Sequence, residues 1–166
     1  MDANILLWLQ KIRTPFWNSF FLKTTNLIWL AGLVCLLLCC FKKTRKTGMY
    51  LFASLIVCGV INSFVLKTLC MRPRPFVTVE SLHRIGPIPS GSSFPSSHTV
   101  FSFAICWMFL WMKKKPWFFI SFVFACLIGF SRMYLGVHYP SDVLAGVIVS
   151  LILSYVVYKQ LERSVR

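Results

Sequence analysis

Ser131-Arg132-Met133-Tyr134-Leu135-Gly136-Val137-His138-Tyr139-Pro140-Ser141-Asp142 lies between two apolar runs of a chain that holds only four carboxylates, Asp142 among them. Asp142 follows His138 by four positions. A carboxylate so placed can fix the imidazole tautomer and stabilise the imidazolium, so His138 is a candidate oriented base or nucleophile. Arg132, six positions before His138, is the kind of group that holds an anion. The same residues could form a plain polar loop between two membrane helices. The rest of the chain has to choose between these readings.

Hydrophobic residues make up 57% of the 166 positions and charged residues 13%, against roughly 25% charged in soluble domains. The chain therefore reads as one solvated by lipid. Its length suggests one domain over 1–166. The net charge is +14. Its Lys and Arg fall in short runs between apolar segments, which marks membrane flanks and an anion site and argues against a nucleic-acid partner. Six of the seven cysteines sit inside apolar runs and none has zinc-finger spacing, so they read as small buried hydrophobes. The N-terminus is acidic, with basic residues after its short apolar stretch, unlike a cleaved signal peptide.

In chain order, Ile5, Trp8, Leu9, Ile12 and Phe16 recur at helical spacing and predict a short interfacial helix. Thr14-Pro15 reads as N-cap and first position of a span running to about residue 41. A second span covers about Gly48 to Leu66, with Asn62 and Ser63 turned toward protein or water. Five prolines between 70 and 95 forbid a regular helix there. A third span runs from Ser96 to Met112 and is short for a bilayer. A fourth runs from Pro116 to about Phe130, and a fifth from Pro140 to about Tyr158. Trp8, Trp17, Trp107, Trp111 and Trp117 read as interface anchors. The expected fold is all-α, a polytopic transmembrane bundle of about five spans plus the interfacial helix.

Parity of five spans puts residues 67–98 and 131–142 on one face. The other face receives Lys42, Lys43, Arg45, Lys46, Lys113, Lys114, Lys115, Lys159, Arg163 and Arg166 in short, strongly basic segments, the pattern of a cytoplasmic side. The loops 67–98 and 131–142 are thus expected outside the cytoplasm. They carry Lys67, Arg74-Pro75 and Pro95-Ser96-Ser97-His98 as well as the opening stretch. Ser96 is a natural N-cap, and the first turn of its helix offers N–H groups and a positive dipole end to a phosphate.

Together, Lys67-x6-Arg74-Pro75, Pro95-Ser96-Ser97-His98 and Ser131-Arg132-x5-His138-x3-Asp142 resemble the three-part signature of the type 2 phosphatidic acid phosphatase family, over roughly residues 48–160. One departure is Ser97, where that family usually has Gly. The resemblance implies a metal-independent and cofactor-free phosphatase working through a phosphohistidine. By matching position His138 would attack phosphorus, with Asp142 on its other nitrogen, and His98 would protonate the leaving oxygen. Lys67, Arg74, Ser96, Ser97 and Arg132 would hold the phosphate oxygens. The remaining acids, Asp2, Glu80 and Glu162, are scattered, which leaves no carboxylate cluster for Mg²⁺.

The implied substrate is a membrane lipid phosphate, with undecaprenyl diphosphate in a bacterial cytoplasmic membrane as the leading expectation. Phosphatidylglycerophosphate, phosphatidate and a lipid A phosphate stay open. Another class, a lipid-phosphate or anion transporter, would need the cations but not the His138–Asp142 pair. Arg72 stands open between phosphate binding and a lipid-headgroup contact, and Glu80, His83 and Arg84 read as a solvated loop.

Overall fold

A computed structural model describes residues 2–164. Arg166, counted above among the basic residues after the last span, lies outside them. The described residues are helical wherever they are regular: α1 (Asp2–Lys11), α2 (Pro15–Leu37), α3 (Arg45–Val60), a π-helical segment (Ile61–Leu66), α4 (Lys67–Cys70), α5 (Pro75–Thr78), α6 (Ser97–Trp111), α7 (Lys115–Tyr134) and α8 (Pro140–Ser164). Proline opens or nearly opens α2, α5, α7 and α8, where its missing N–H costs nothing and its φ is already helical. Thr14 caps α2 by accepting the Trp17 N–H, as expected.

Four stretches are long and apolar enough to cross a membrane: Pro15–Leu37, Arg45–Thr78, Lys115–Tyr134 and Pro140–Ser164. The third expected span, α6, has only 15 residues. It is the axis of the bundle and touches α2, α3, α7 and α8. Small residues let its neighbours close on it. The buried side of α8 reads Asp142, Gly146, Ser150, Ser154, Val157, and that of α7 includes Ser121, Ala125, Ile128, Gly129 and Arg132. Lipid gives helices no hydrophobic reason to associate, so close packing over such stripes must hold them together. Outward faces carry the apolar bulk, for example Leu144, Ile148 and Ile152 of α8.

Several sequence expectations need correction. Helix α7 does not stop near Phe130 but continues to Tyr134. Ser131 and Arg132 looked like loop residues because they are polar, yet both are buried and extend the inward stripe. The second span runs past Leu66 to Cys70 and ends where Met71 turns left-handed (φ +36°). One helical turn, α5, interrupts the proline-rich segment. Trp107 and Trp111 are not interface anchors: their indole N–H groups donate to the Val147 carbonyl and the Ser154 hydroxyl, tying α6 to α8. Cys35, Cys58 and Cys106 are buried as expected, whereas Cys40, Cys70 and Cys126 are exposed on the bundle surface. Helix α1 buries Leu6 and Leu9 against Leu82 and Tyr139 and leaves Ile5 and Trp8 outward, with Ile12 exposed just beyond its end.

The α6–α8 contact is tightest at Gly146, where an added Cβ would stand 3.1 Å from Thr99 Cβ and 3.2 Å from the Ser96 carbonyl. Gly146→Leu is expected to force α8 off the start of α6, at a cost of about 1–3 kcal/mol. A lowered melting temperature in detergent would record it, and an unchanged one would show that this contact is not what closes the bundle.

Candidate active site

The opening stretch folds as it does because of Gly136. The Val137 N–H donates to the Arg132 carbonyl (3.2 Å) and the Gly136 N–H to the Met133 carbonyl (3.0 Å), the paired bonds of a Schellman cap. Gly136 takes φ +75°, which a Cβ would oppose, and that Cβ would also meet Arg13 Nη2 at 2.9 Å and the His83 carbonyl at 3.2 Å. Arg13, from the α1–α2 link, donates through Nε and Nη2 to the Tyr134 carbonyl (3.0 and 2.7 Å) and so supplies a cation at the negative end of α7. The chain thus leaves α7 in one fixed direction. Arg132 in the last helical turn and His138 beyond the cap both line the same cavity.

That cavity has a volume of about 380 Å³, and its polar wall includes Lys67, Arg74, Ser97, His98, Arg132 and His138. Six of the eight residues singled out from the sequence therefore meet at one place. Lys67 comes from the helix beyond the π-helical segment, Arg74 from the start of the loop, Ser97 and His98 from the first turn of α6. Asp142 stands behind His138 and is fully buried. Ser96 is also fully buried and does not line the cavity. It occupies the N-cap position of α6 but makes no side-chain cap bond. Its hydroxyl accepts from Thr99 Oγ1 (3.0 Å), and its N–H donates to the Asp142 carbonyl (3.2 Å), which docks the start of α6 on α8.

His138 Nδ1 lies 3.6 Å from Asp142 Oδ2, and its Nε2 lies 3.3 Å from Arg74 Nη1. Arg74 can only donate, so Nε2 presents its lone pair and the proton belongs on Nδ1, toward Asp142. Burial lowers the His138 pKa to about 4; Asp142 pulls the other way, and Arg132 and Arg74 add to the lowering. The imidazole is neutral at pH 7.

Arg74 is held by the Gly91, Val137 and Ser90 carbonyls as well (3.1, 3.1 and 2.8 Å). Lys67 Nζ donates to the Ser92 carbonyl (2.5 Å). Arg132 donates from Nη1 to Thr25 Oγ1 (3.3 Å), while its buried Nε finds no partner among the described residues. The wall is cationic and its own carbonyls satisfy it only in part.

Three participants escaped the sequence reading. Ser93 Oγ lies 2.5 Å from Asp142 Oδ2 and 3.4 Å from His138 Nδ1, wedged between the two. Asn62, buried in the π-helical segment, donates from Nδ2 to Ser97 Oγ (2.9 Å). Trp29 meets His98 edge to face, ring centroids 6.3 Å apart. The signal for Asn62 was its polarity inside a span; Ser93 and Trp29 carried none. Arg72 does not line the cavity; it donates to Asp142 Oδ1 at 2.7 Å. Glu80 and the His83 side chain are exposed, as a solvated loop should be, although the His83 N–H is held by Gln10 of α1 (2.7 Å).

Beside the cavity runs an apolar groove of about 350 Å³ between α2 and α3, with Gly32, Leu55, Ile56 and Gly59 in its lining. Ile28, Trp29, Ser63 and Phe101 line both spaces. A charged end and an apolar body could be held side by side.

Comparison with known proteins bears on this arrangement. The chain is 31% identical over 130 residues to the undecaprenyl-diphosphatase BcrC of Bacillus subtilis, covering 77% of this chain and 66% of that protein. It is 36% identical over 123 residues to an undecaprenyl-diphosphatase of Sulfolobus acidocaldarius, covering 72% of this chain and 56% of that one. It thus spans somewhat less than two thirds of the length of these relatives. The crystal structure of a transmembrane PAP2-type phosphatidylglycerolphosphate phosphatase from Bacillus subtilis superposes with a TM-score of 0.79 at 25% identity, covering 99% of this chain and 86% of that one. Residues 47–166 match the family model of the PAP2 superfamily, and with all three signature segments inside that range the chain belongs to the PAP2 superfamily, as an integral membrane protein.

Proposed function

We propose that the protein is a lipid phosphatase that transfers phosphate to His138 and then to water. The observation that carries this reading is the placement of His138, with Nε2 turned to a guanidinium at the cavity wall and Nδ1 turned to a buried carboxylate. Phosphoryl transfer asks the protein mainly for position and positive charge. Lys67, Arg74 and Arg132 supply the charge that divalent metal supplies elsewhere, and Ser97 and the first turn of α6 supply hydrogen-bond donors.

In the first step Nε2 attacks phosphorus, the N–P bond forms and the P–O bond to the leaving group breaks. His98, entering the step protonated, gives the departing oxygen its proton and is left neutral, and Asp142 stabilises the charge that develops on the His138 ring. In the second step the neutral His98 takes a proton from water, whose oxygen attacks phosphorus as the N–P bond breaks, so that inorganic phosphate leaves and Nε2 regains its electron pair. Ser96 holds α6 against α8 and thereby places Ser97 and His98; Asp142 orients His138.

The adjoining apolar groove favours a phosphate carried on a hydrocarbon chain. Among such substrates undecaprenyl diphosphate ranks first, since it is the substrate named for the first two relatives; phosphatidylglycerophosphate, named for the structural neighbour, is the alternative. The strongly basic segments on the opposite side support a site facing out of the cytoplasm of a bacterial membrane.

Purified protein in detergent should release phosphate from undecaprenyl diphosphate with EDTA present, in a panel with phosphatidylglycerophosphate and phosphatidate. His138→Ala should lower kcat at least about 10³-fold with folding retained. Full activity in that variant would sink the mechanism, and lipid-phosphate binding without any hydrolysis by wild type would favour a transporter.

A second prediction concerns pH. The folded pKa of His138, about 4, lies below the ordinary 6.5. Above pH 6.5 the residue is neutral folded or unfolded and adds nothing to the pH dependence. Between 6.5 and 4 the unfolded chain binds a proton that the folded site refuses, so stability falls as pH falls through that window. Ring ¹⁵N NMR should place the His138 midpoint near 4; a midpoint near 6.5 would show an open, solvated ring.

A further inference from the structure

Arg72 lies within the Lys67-x6-Arg74 segment, yet its side chain turns away from the cavity. Contacts from several segments converge on it. Its Nη1 donates to Asp142 Oδ1 (2.7 Å) and to Ser141 Oγ (2.8 Å). Its guanidinium lies 4.0 Å from the centre of the Tyr139 ring, and the Tyr139 N–H donates to Asp142 Oδ2 (2.9 Å). Its backbone carbonyl accepts the Ser93 N–H (2.9 Å), and Ser93 is the residue wedged between His138 and Asp142. On its outer side Nη2 reaches Asp2 of α1 (3.4 Å), whose carboxylate also accepts from Ser141. Asp2, which looked like a stray acid in the sequence, therefore closes a chain of charges Asp2–Arg72–Asp142 that ends at the imidazole.

We propose that Arg72 is a positioning residue for the Asp142–His138 pair, and that α1 is the strap that keeps it there through Asp2. This rests on His138 being the nucleophile. Asp142 is fully buried. A buried carboxylate needs its lone pairs filled and its charge met, and the neutral imidazole meets neither need alone. Arg72 does both from the side opposite the substrate, so Oδ2 stays in place for Ser93, the Tyr139 amide and His138. A planar fork is suited to this, because it can hold Asp142 and Ser141 while lying on the Tyr139 ring; an ammonium cannot. Side-chain exposure grades from Asp142 at 0% to Arg72 at 32% and Asp2 at 30%, so the strap runs from the bundle interior to its rim.

The charged and titratable groups facing His138 are Lys67 of α4, Arg74 of the loop, His98 of α6, Arg132 of α7 and Asp142 of α8. Arg72 faces Asp142 and not the ring. Removing its charge leaves Asp142 less neutralised, which draws a proton to His138 more strongly. Arg72→Gln should thus raise the His138 midpoint, read by ring ¹⁵N NMR in a chain with only three histidines. With the lipid phosphate the protein turns over fastest, it should lower kcat about tenfold or more at nearly constant KM. Arg72→Lys keeps the charge without the fork and should fall between, with the midpoint close to wild type. Asp2→Ala should lower kcat less than Arg72→Gln does, again at constant KM.

A raised KM with kcat intact in Arg72→Gln would make Arg72 a substrate ligand and overturn the proposal, as would wild-type kinetics with an unmoved midpoint. Wild-type kcat in Asp2→Ala would overturn the role of α1. If Arg72→Gln does not fold, the kcat and KM of Arg72→Lys decide by the same rule. His138→Ala separates the two readings: an active His138→Ala protein sinks the phosphohistidine mechanism itself, whereas an inactive one beside a fully active Arg72→Gln sinks only the positioning role.

Discussion

One carboxylate without solvent contact holds the functional end of this protein together. Asp142 accepts from Arg72, Ser93 and the Tyr139 amide and faces His138, while its own carbonyl takes the Ser96 N–H. The partners come from three stretches of chain: the loop after α4 (Arg72), the segment leading into α6 (Ser93 and Ser96) and the α7–α8 turn (His138 and Tyr139). A buried charge cannot be left half satisfied without a penalty of several kcal/mol per ion. The carboxylate therefore fixes the relative positions of these segments.

The cavity in front of it has the opposite imbalance. Lys67, Arg74 and Arg132 crowd a space of about 380 Å³, and the single carboxylate nearby is already committed to Arg72. Repulsion among the cations is moderated by backbone carbonyls of residues 90–92 and 137, which accept from Lys67 and Arg74. These dipoles steady the side chains without cancelling their charge. A multiply charged phosphate entering the cavity would find positive potential already oriented and little to rearrange, which is the condition under which fixed charges act most strongly.

Much of this was legible in the sequence. Pro15, Pro116 and Pro140 mark helix starts because proline's constraint acts locally, and the three signature segments align on one face because span parity follows from hydropathy alone. The spacing from Arg132 to His138 was visible, though its cause was not: it is the length of a Schellman cap across Gly136, with Arg132 as the residue whose carbonyl closes it. What stayed hidden depends on long-range partners. Ser131 and Arg132 look like loop residues until the α7 stripe shows them facing inward. Trp107 and Trp111 look like interface anchors until their N–H groups are seen to meet α8. Asp2 and Arg72 lie 70 positions apart, and Ser93 is one of several serines in its stretch, so no local pattern could single them out.

The π-helical segment at Ile61–Leu66 sets the register of the second span. In an α-helix each residue turns the chain by about 100°, and a π turn takes in one residue more per bond. The segment thus acts as a built-in phase shift between the part of the second span that packs against α6 and the part that carries Lys67. Asn62, inside the shift, meets Ser97, and Lys67, just beyond it, meets the cavity. A chain with one residue fewer between these points would keep its hydropathy and its span, yet Lys67 would swing by about 100° toward lipid. The length of this segment, more than its composition, is what joins the membrane-packing half of the helix to its charge-bearing half.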